Sequence, residues 1–135
     1  MKTPDIEIYL KHANANIILH WLNLNFDQVN IAQLTQNNLT NKIIAKGHLT
    51  LNQQNIPIIV TPQAAGKSFC SIWFKSDKTP WQDDEACALS FFENDELNSD
   101  TEIRCSAGGW TEFEEENSEQ WLSFTQEGKR LIPWR

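Results

Sequence analysis

Carboxylates and aromatic side chains stand close together at positions 77–84, a pattern that could bind a cation or support general-base chemistry. Asp84 follows Trp81 by three residues, so a helix that buries Trp81 would set Asp84 beside its apolar arc, with Asp77 just before the helix. A carboxylate in that position needs a partner. The structural alternative is that Asp84 accepts hydrogen bonds from amides of the first helical turn or pairs with Arg104.

A second group of unusual residues lies at positions 104–110. The chain has six tryptophans, and Trp110 follows a Gly108-Gly109 turn whose flexible backbone could present the ring to solvent or expose amides to an anion. The alternative is that Trp110 covers the core. Cys105 could form a reactive thiol with a histidine, whereas a buried cysteine behaves as a small hydrophobic residue.

The common cofactor and metal motifs are missing from the sequence. Gly66-Lys67-Ser68 resembles the end of a P-loop, but Thr61 stands where that motif requires its first glycine, and a strand follows where it requires a helix. No G-x-S-x-G, H-E-x-x-H, G-x-G-x-x-G or C-x-x-C pattern occurs. The sequence therefore predicts neither a cofactor nor a metal, and it leaves open whether the chain is an enzyme.

Hydrophobic periodicity predicts the elements that position these residues. A period of two from Asp5 to Leu10 indicates a strand, and a helical period from Asn14 to Phe26 indicates an amphipathic helix. The run from Thr79 to Gln82 has the residues of a helix start, with Thr79 as the N-cap and Pro80 at the first helical position. Further strands are predicted at 29–32, at an edge, and at 43–51, 56–61, 68–75, 101–106, 120–125 and 130–134.

Short connections between these strands favour antiparallel pairing. The prediction is an α+β fold, a mostly antiparallel sheet of about six or seven strands with two amphipathic helices packed on it, in a single domain spanning residues 1–135. The strand at 68–75 is apolar on both faces and is expected at the centre of the sheet. Pro57 lacks an N–H group, so we expect its strand at an edge or beginning at Pro57.

The predicted sheet could bring the two groups of unusual residues together. If the strands at 68–75 and 101–106 are neighbours, the loop 76–80 and the turn 107–110 meet at one end of the sheet. They would then form an aromatic-walled cleft with charges of both signs, of the kind that binds small ligands.

The net charge of −7 is unevenly distributed along the chain. Residues 1–68 carry five lysines and three acids, whereas residues 69–135 carry six basic and fifteen acidic residues. Such a field repels phosphate backbones and anionic membranes, so neither nucleic acid nor a membrane is an expected partner. No apolar run is long enough for a membrane span or a signal core, and unpaired cysteines suit a reducing compartment, so we expect a cytoplasmic location.

The leading functional hypothesis is a non-enzymatic protein-binding module, inhibitor- or immunity-like, that uses its acidic, tryptophan-rich C-terminal half against the basic surface of a partner. The rival hypothesis is a small-ligand-binding domain or an enzyme with a cleft near Trp81, Asp84, Arg104 and Trp110. A third is a homodimer formed through an uncovered sheet edge. The candidate binding residues are Asp77, Trp81, Asp84, Arg104, Cys105, Gly109 and Trp110.

Overall fold

The computed structural model describes residues 5–12, 14–63, 69–93, 102–106, 120–125 and 128–133. Within these residues, eight strands form one antiparallel sheet, and three helices accompany it. The predicted α+β fold is therefore confirmed, with slightly more strands and one more helix than expected. The elements are β1 (Ile6–Lys11), α1 (Ala15–Asn25), β2 (Gln28–Asn30), α2 (Gln36–Thr40), β3 (Ala45–Leu51), β4 (Gln54–Thr61), β5 (Phe69–Phe74), α3 (Asp84–Phe92), β6 (Ile103–Ser106), β7 (Gln120–Thr125) and β8 (Gly128–Pro133).

The first strand of the chain lies in the middle of the sheet. The strand order is β2-β3-β4-β5-β1-β6-β7-β8, so β1 separates two groups of consecutive strands. Its ladder with β5 runs from Ile6 opposite Phe74 to Lys11 opposite Phe69. The central position predicted for β5 is confirmed, as is the edge position of β2.

The two faces of the sheet carry different side chains because alternate residues of a strand point to opposite sides. Ile6, Ile8 and Leu10 of β1 belong to the buried core. Trp21 of α1 contacts Phe74 of β5, with ring centres 6.1 Å apart, and also meets a ring of α3. Helices α1 and α3 therefore pack on one face, which we call the helix face. The other positions of the strands form what we call the second face.

Helix α1 is capped by Asn14 and buries one of its sides. The side chain of Asn14 accepts a hydrogen bond from the amide of Ile17 at 3.1 Å, which caps the first turn. Its buried residues recur at the three- and four-residue spacing of one helix side, and each large apolar side chain contributes roughly 1.5–3 kcal/mol by leaving water. They are Ala15, Ile18, Trp21 and Leu22.

The predicted start of the next long helix at Thr79 is wrong, because α3 begins at Asp84 with Asp83 as its N-cap. Asp83 has extended backbone angles, and its carboxylate accepts from the amide of Ala86 at 2.8 Å. The hydroxyl of Thr79 instead donates to the carbonyl of Trp81 at 3.2 Å. Burial of the Trp81 ring holds this segment in the core before the helix begins.

Two further expectations are corrected. Helix α2 was not predicted, because five residues with Leu39 as their one buried side chain carry no readable periodicity. Pro57 lies inside β4, which runs between β3 and β5, rather than at an edge or a strand start. Its carbonyl accepts from the amide of Lys75 at 2.9 Å, just beyond the end of β5. In an antiparallel ladder such a pair of residues exchanges two hydrogen bonds, and because Pro57 lacks an N–H only one of the two can form with Lys75.

Candidate functional site

Trp81 lies in the core rather than at the wall of a cleft. It is 6% exposed, and its ring stacks on Trp21 with centres 5.0 Å apart and an angle of 14° between the planes. The rings of Phe26 and Phe74 meet it edge-on at 5.7 and 5.2 Å. The indole N–H of Trp21 donates to the hydroxyl of Ser90 in α3 at 3.1 Å. This aromatic cluster joins α1, β5 and α3.

The side chain of Arg104 points to the second face. The residues before and after it in β6 belong to the core on the helix face, and alternate residues of a strand point to opposite sides. Its Nε donates to Glu102 at 2.7 Å, and its guanidinium carbon lies 4.6 Å from the ring centre of Phe69. Trp81 and Arg104 are therefore on opposite sides of the sheet. The two residues do not line one cleft, which corrects the geometry expected for the small-ligand site.

Glu102 is the acceptor at the centre of a polar group on the second face. It accepts from Arg104 and from the hydroxyl of Ser123, which is almost completely buried. Burial alone would raise the pKa of Glu102, but the hydrogen bonds from Arg104 and Ser123 and the charges of Arg104 and Lys11 outweigh it and lower the pKa. The carboxylate is therefore held ionised, and its bonds fix β6 against β7.

A second polar group surrounds Tyr9 on the same face. Burial, followed by the charge and hydrogen bond of Glu7, raises the pKa of Tyr9 to about 12. Glu7 also accepts from the hydroxyl of Ser71 at 2.6 Å. The phenol of Tyr9 therefore stays protonated and acts as a hydrogen-bond donor, while its ring meets Trp121 edge-on at 5.6 Å.

Asp83 and Asp84 both bind backbone amides. Asp83 caps the first turn of α3, a role that the sequence left open for Asp84. Asp84 accepts from the amide of Glu7 in β1 at 3.2 Å, beyond the point where the register of β1 with β6 stops at Tyr9. The carboxylate of Asp84 thus accepts the hydrogen bond that a neighbouring strand would otherwise accept from Glu7. Arg104 pairs with Glu102.

The cysteine thiols are unsuited to nucleophilic chemistry. All three are free and buried. Burial raises the pKa of Cys105 well above its usual range, and the charges of Asp84, Glu85 and Asp83 raise it further. Because the thiolate is the nucleophile, this environment disfavours the reactive thiol considered for Cys105.

The remaining predicted site residues are only partly described. Asp77 is exposed, and its carboxylate lies 3.9 Å from the Nζ of Lys78. The condition set for the cleft, that the strands at 68–75 and 101–106 are neighbours, is wrong, because β1 lies between β5 and β6. Gly109 and Trp110 lie outside the described residues, so the meeting of the turn 107–110 with the loop 76–80 stays a prediction. Strands β2 and β8 form the two sheet edges, and pairing of an edge with a second copy also stays a prediction.

The outer side of α3 combines acids with an exposed apolar residue. Glu85, Leu89 and Glu93 are four residues apart and therefore follow one line along the helix. Leu89 is 43% exposed, although the helical wheel predicts it on the buried arc. Glu85 accepts from Lys129 at 2.7 Å, and Glu93 is exposed. We call these three residues the acidic helix face; its signal in the sequence is the regular spacing of the two acids around a leucine.

Glu93 is placed against the helix dipole. It is the C-cap of α3, whose last turn has no basic residue. A carboxylate at this end meets the partial negative charge of the helix terminus, which costs roughly 0.3–1 kcal/mol. Local stability therefore does not explain the glutamate.

Comparisons with known proteins give no relative: no protein-family model, no curated protein and no solved structure matches this chain. In the part of the chain that the structure describes, no helix is long and apolar enough to cross a membrane. Among the same residues, no three side chains of His, Cys, Asp or Glu form a group that could hold a metal ion.

Proposed function

We propose that this chain is a non-enzymatic binding protein that docks the basic surface of a partner protein on the acidic helix face. The observation that carries the proposal is Leu89, a large apolar side chain that is 43% exposed between two glutamates on one helix side. At an interface an apolar centre supplies affinity and the charges around it supply orientation, and Leu89 with its two flanking glutamates has both parts.

The electrostatics of α3 support a basic partner. Asp83, Asp84 and Glu85 place three carboxylates in succession at the start of the helix, and Lys129 is a neighbouring cation paired with Glu85. Clustered carboxylates attract a cationic surface and speed its association. The basic surface of the partner would therefore approach this side of the molecule first.

The ion pair between Lys129 and Glu85 is compatible with docking. The two side chains are 52% and 37% exposed, and pairs this exposed contribute little to stability because water and salt screen them. A lysine or arginine of the partner can exchange with Lys129 at small cost. Lys129 thus occupies the place that a partner's cation would take.

The position of Glu93 is the second support. A carboxylate at a helix C-terminus costs stability, so retaining it is understandable if the charge serves binding. Glu93→Gln removes the charge and keeps the size of the side chain. A docking role predicts that this variant binds the partner more weakly while its fold is unchanged or slightly more stable.

The test is capture of a partner from a cell lysate at low salt, followed by measurement of Kd with the purified partner. Leu89→Ser and Glu93→Gln should each weaken binding about tenfold, which corresponds to ~1.4 kcal/mol. The matched control is Leu24→Ser, which alters a second exposed leucine, 65% exposed and located on α1. A partner that binds all three variants as tightly as the unmodified protein would refute docking on the acidic helix face.

A further inference from the structure

Three neighbouring strands place basic, apolar and aromatic side chains together on the second face. In the register, Lys46 lies opposite Ile59, and Ile59 lies opposite Trp73, so the three form a row across β3, β4 and β5. Positions two residues along each strand extend this row on the same face. The resulting surface, which we call the Trp73 patch, consists of Lys46, His48, Pro57, Ile59, Trp73 and Lys75.

The side chains of the Trp73 patch are accessible. Ile59 and Trp73 are half-buried, and the other four members are exposed. The ring of Trp73 is held in place, because its indole N–H donates to Asp5 at 2.9 Å and the Nζ of Lys75 lies 5.1 Å from its centre. A ring fixed in this way loses little conformational freedom when a partner packs on it.

The Trp73 patch contains two exposed lysines, with the carboxylate of Asp5 beside it, bonded to the indole N–H of Trp73. Lys46 and Lys75 flank its apolar centre. Glu7, which lies opposite Trp73 in β1, already accepts a hydrogen bond from the hydroxyl of Ser71 at 2.6 Å. Two cations around an apolar centre complement carboxylates that flank an apolar side chain.

We propose that the Trp73 patch binds a short acidic segment of a partner protein, with an apolar side chain of that segment packed on Ile59 and Trp73 and its carboxylates paired with Lys46 and Lys75. β3 and β5 are two strand spacings apart, ~10 Å, which corresponds to about three residues of an extended peptide. The patch therefore matches a short linear segment better than a broad globular surface.

Single-stranded nucleic acid fits this surface less well. A phosphate chain carries a charge at every nucleotide, so the net charge of −7 repels it more strongly than it repels a short segment with two carboxylates. The Trp73 patch also contains one indole ring, whereas proteins that bind single strands stack successive bases on several aromatic rings. The Trp73 patch also lies on the opposite side of the sheet from α3. The chain can therefore hold an acidic segment and a basic partner at the same time, and each binding event can be tested without the other.

The experiment is a titration of a short fluorescein-labelled peptide of alternating glutamate and leucine, followed by fluorescence anisotropy at low salt. The unmodified protein should bind it, whereas an equally long peptide of alternating glutamine and leucine should bind at least about fivefold more weakly, as expected from ~1 kcal/mol of charge pairing. Lys46→Glu and Lys75→Glu should each weaken binding about tenfold, since each replaces an attraction by a repulsion.

The matched control is Lys78→Glu, which makes the same charge change at another exposed lysine. Circular dichroism checks that all variants keep their fold. Equal weakening by Lys78→Glu, undetectable binding of the acidic peptide, or tighter binding of a labelled oligothymidylate would each overturn the proposal. Because Glu93→Gln should leave this titration unchanged, failure here is distinguishable from failure of docking on the acidic helix face.

Discussion

Replacing Trp81 with alanine is the clearest test of the core described above. Trp81 stacks on Trp21 and meets Phe26 and Phe74, and 6% of its surface is exposed. Truncating a buried tryptophan to alanine removes its transfer free energy and leaves a cavity, which costs about 3–5 kcal/mol. A domain of this size has a total free energy of unfolding of about 5–15 kcal/mol, so the variant should lose a large share of it.

The matched control is Trp73→Ala on the second face. Trp73 is half-buried, donates one hydrogen bond to Asp5, and has Lys75 over its ring. Loss of one exposed hydrogen bond and one cation–π contact costs about 1–2 kcal/mol in total. The two variants should therefore differ by at least about 1 kcal/mol, although each removes the same side chain.

The assay is urea unfolding monitored by far-ultraviolet circular dichroism, because tryptophan fluorescence changes with the substitutions themselves. The midpoint should fall strongly for Trp81→Ala and slightly for Trp73→Ala, with similar slopes. Equal losses, or a loss below about 1 kcal/mol for Trp81→Ala, would show that the Trp81 ring is not packed in the core. The ligand-cleft hypothesis would then regain its geometric basis.

Three further outcomes are expected. Gly47→Ala should lower the unfolding free energy by about 1–3 kcal/mol, because the added Cβ would lie 2.2 Å from the carbonyl oxygen of Asn30; an unchanged urea midpoint contradicts this. Because the folded state lowers the pKa of Glu102 below its ordinary 4.5, its contribution to stability is present above pH 4.5 and lost as pH falls through the lowered value. Glu102→Gln should therefore flatten the stability–pH profile on that acid side, and a profile parallel to the unmodified protein's would exclude this role. The three cysteines should react with Ellman's reagent only as the chain unfolds, and one rapidly modified thiol in the native protein would contradict their burial.

Local sequence patterns predicted the elements in which the hydrophobic periodicity matches the side that is buried. The alternation from Asp5 to Leu10 identified β1, and the apolar character of β5 on both faces predicted its central place. The start of α3 was misplaced because Thr79 and Asp83 are both good N-cap residues. The choice between them depends on the burial of Trp81 against residues distant in sequence, which local rules do not contain.

Two residues of the candidate cleft, Trp81 and Arg104, are separated by the sheet for a related reason. The residues of the cleft were selected by type and by position in the chain, whereas a shared site also requires that side chains leave the sheet on the same side. The apolar residues on either side of Arg104 indicate that it points away from the core. The sequence carries no such signal for the direction of the Trp81 side chain, because Trp81 lies in an irregular segment. The exposure of Leu89 could not be predicted from the sequence either, because a leucine on the apolar arc of a helix usually indicates burial.

Amide NMR mapping of bound peptides tests most directly whether the molecule has two binding surfaces of opposite charge. A short peptide of alternating lysine and leucine should shift the amides of residues 85–93, and a peptide of alternating glutamate and leucine should shift those of residues 45–61 and 72–75. Each peptide should leave the other set unchanged, because the sheet separates them. Shifts that are the same for both peptides, or that are spread over the whole chain, would contradict the account.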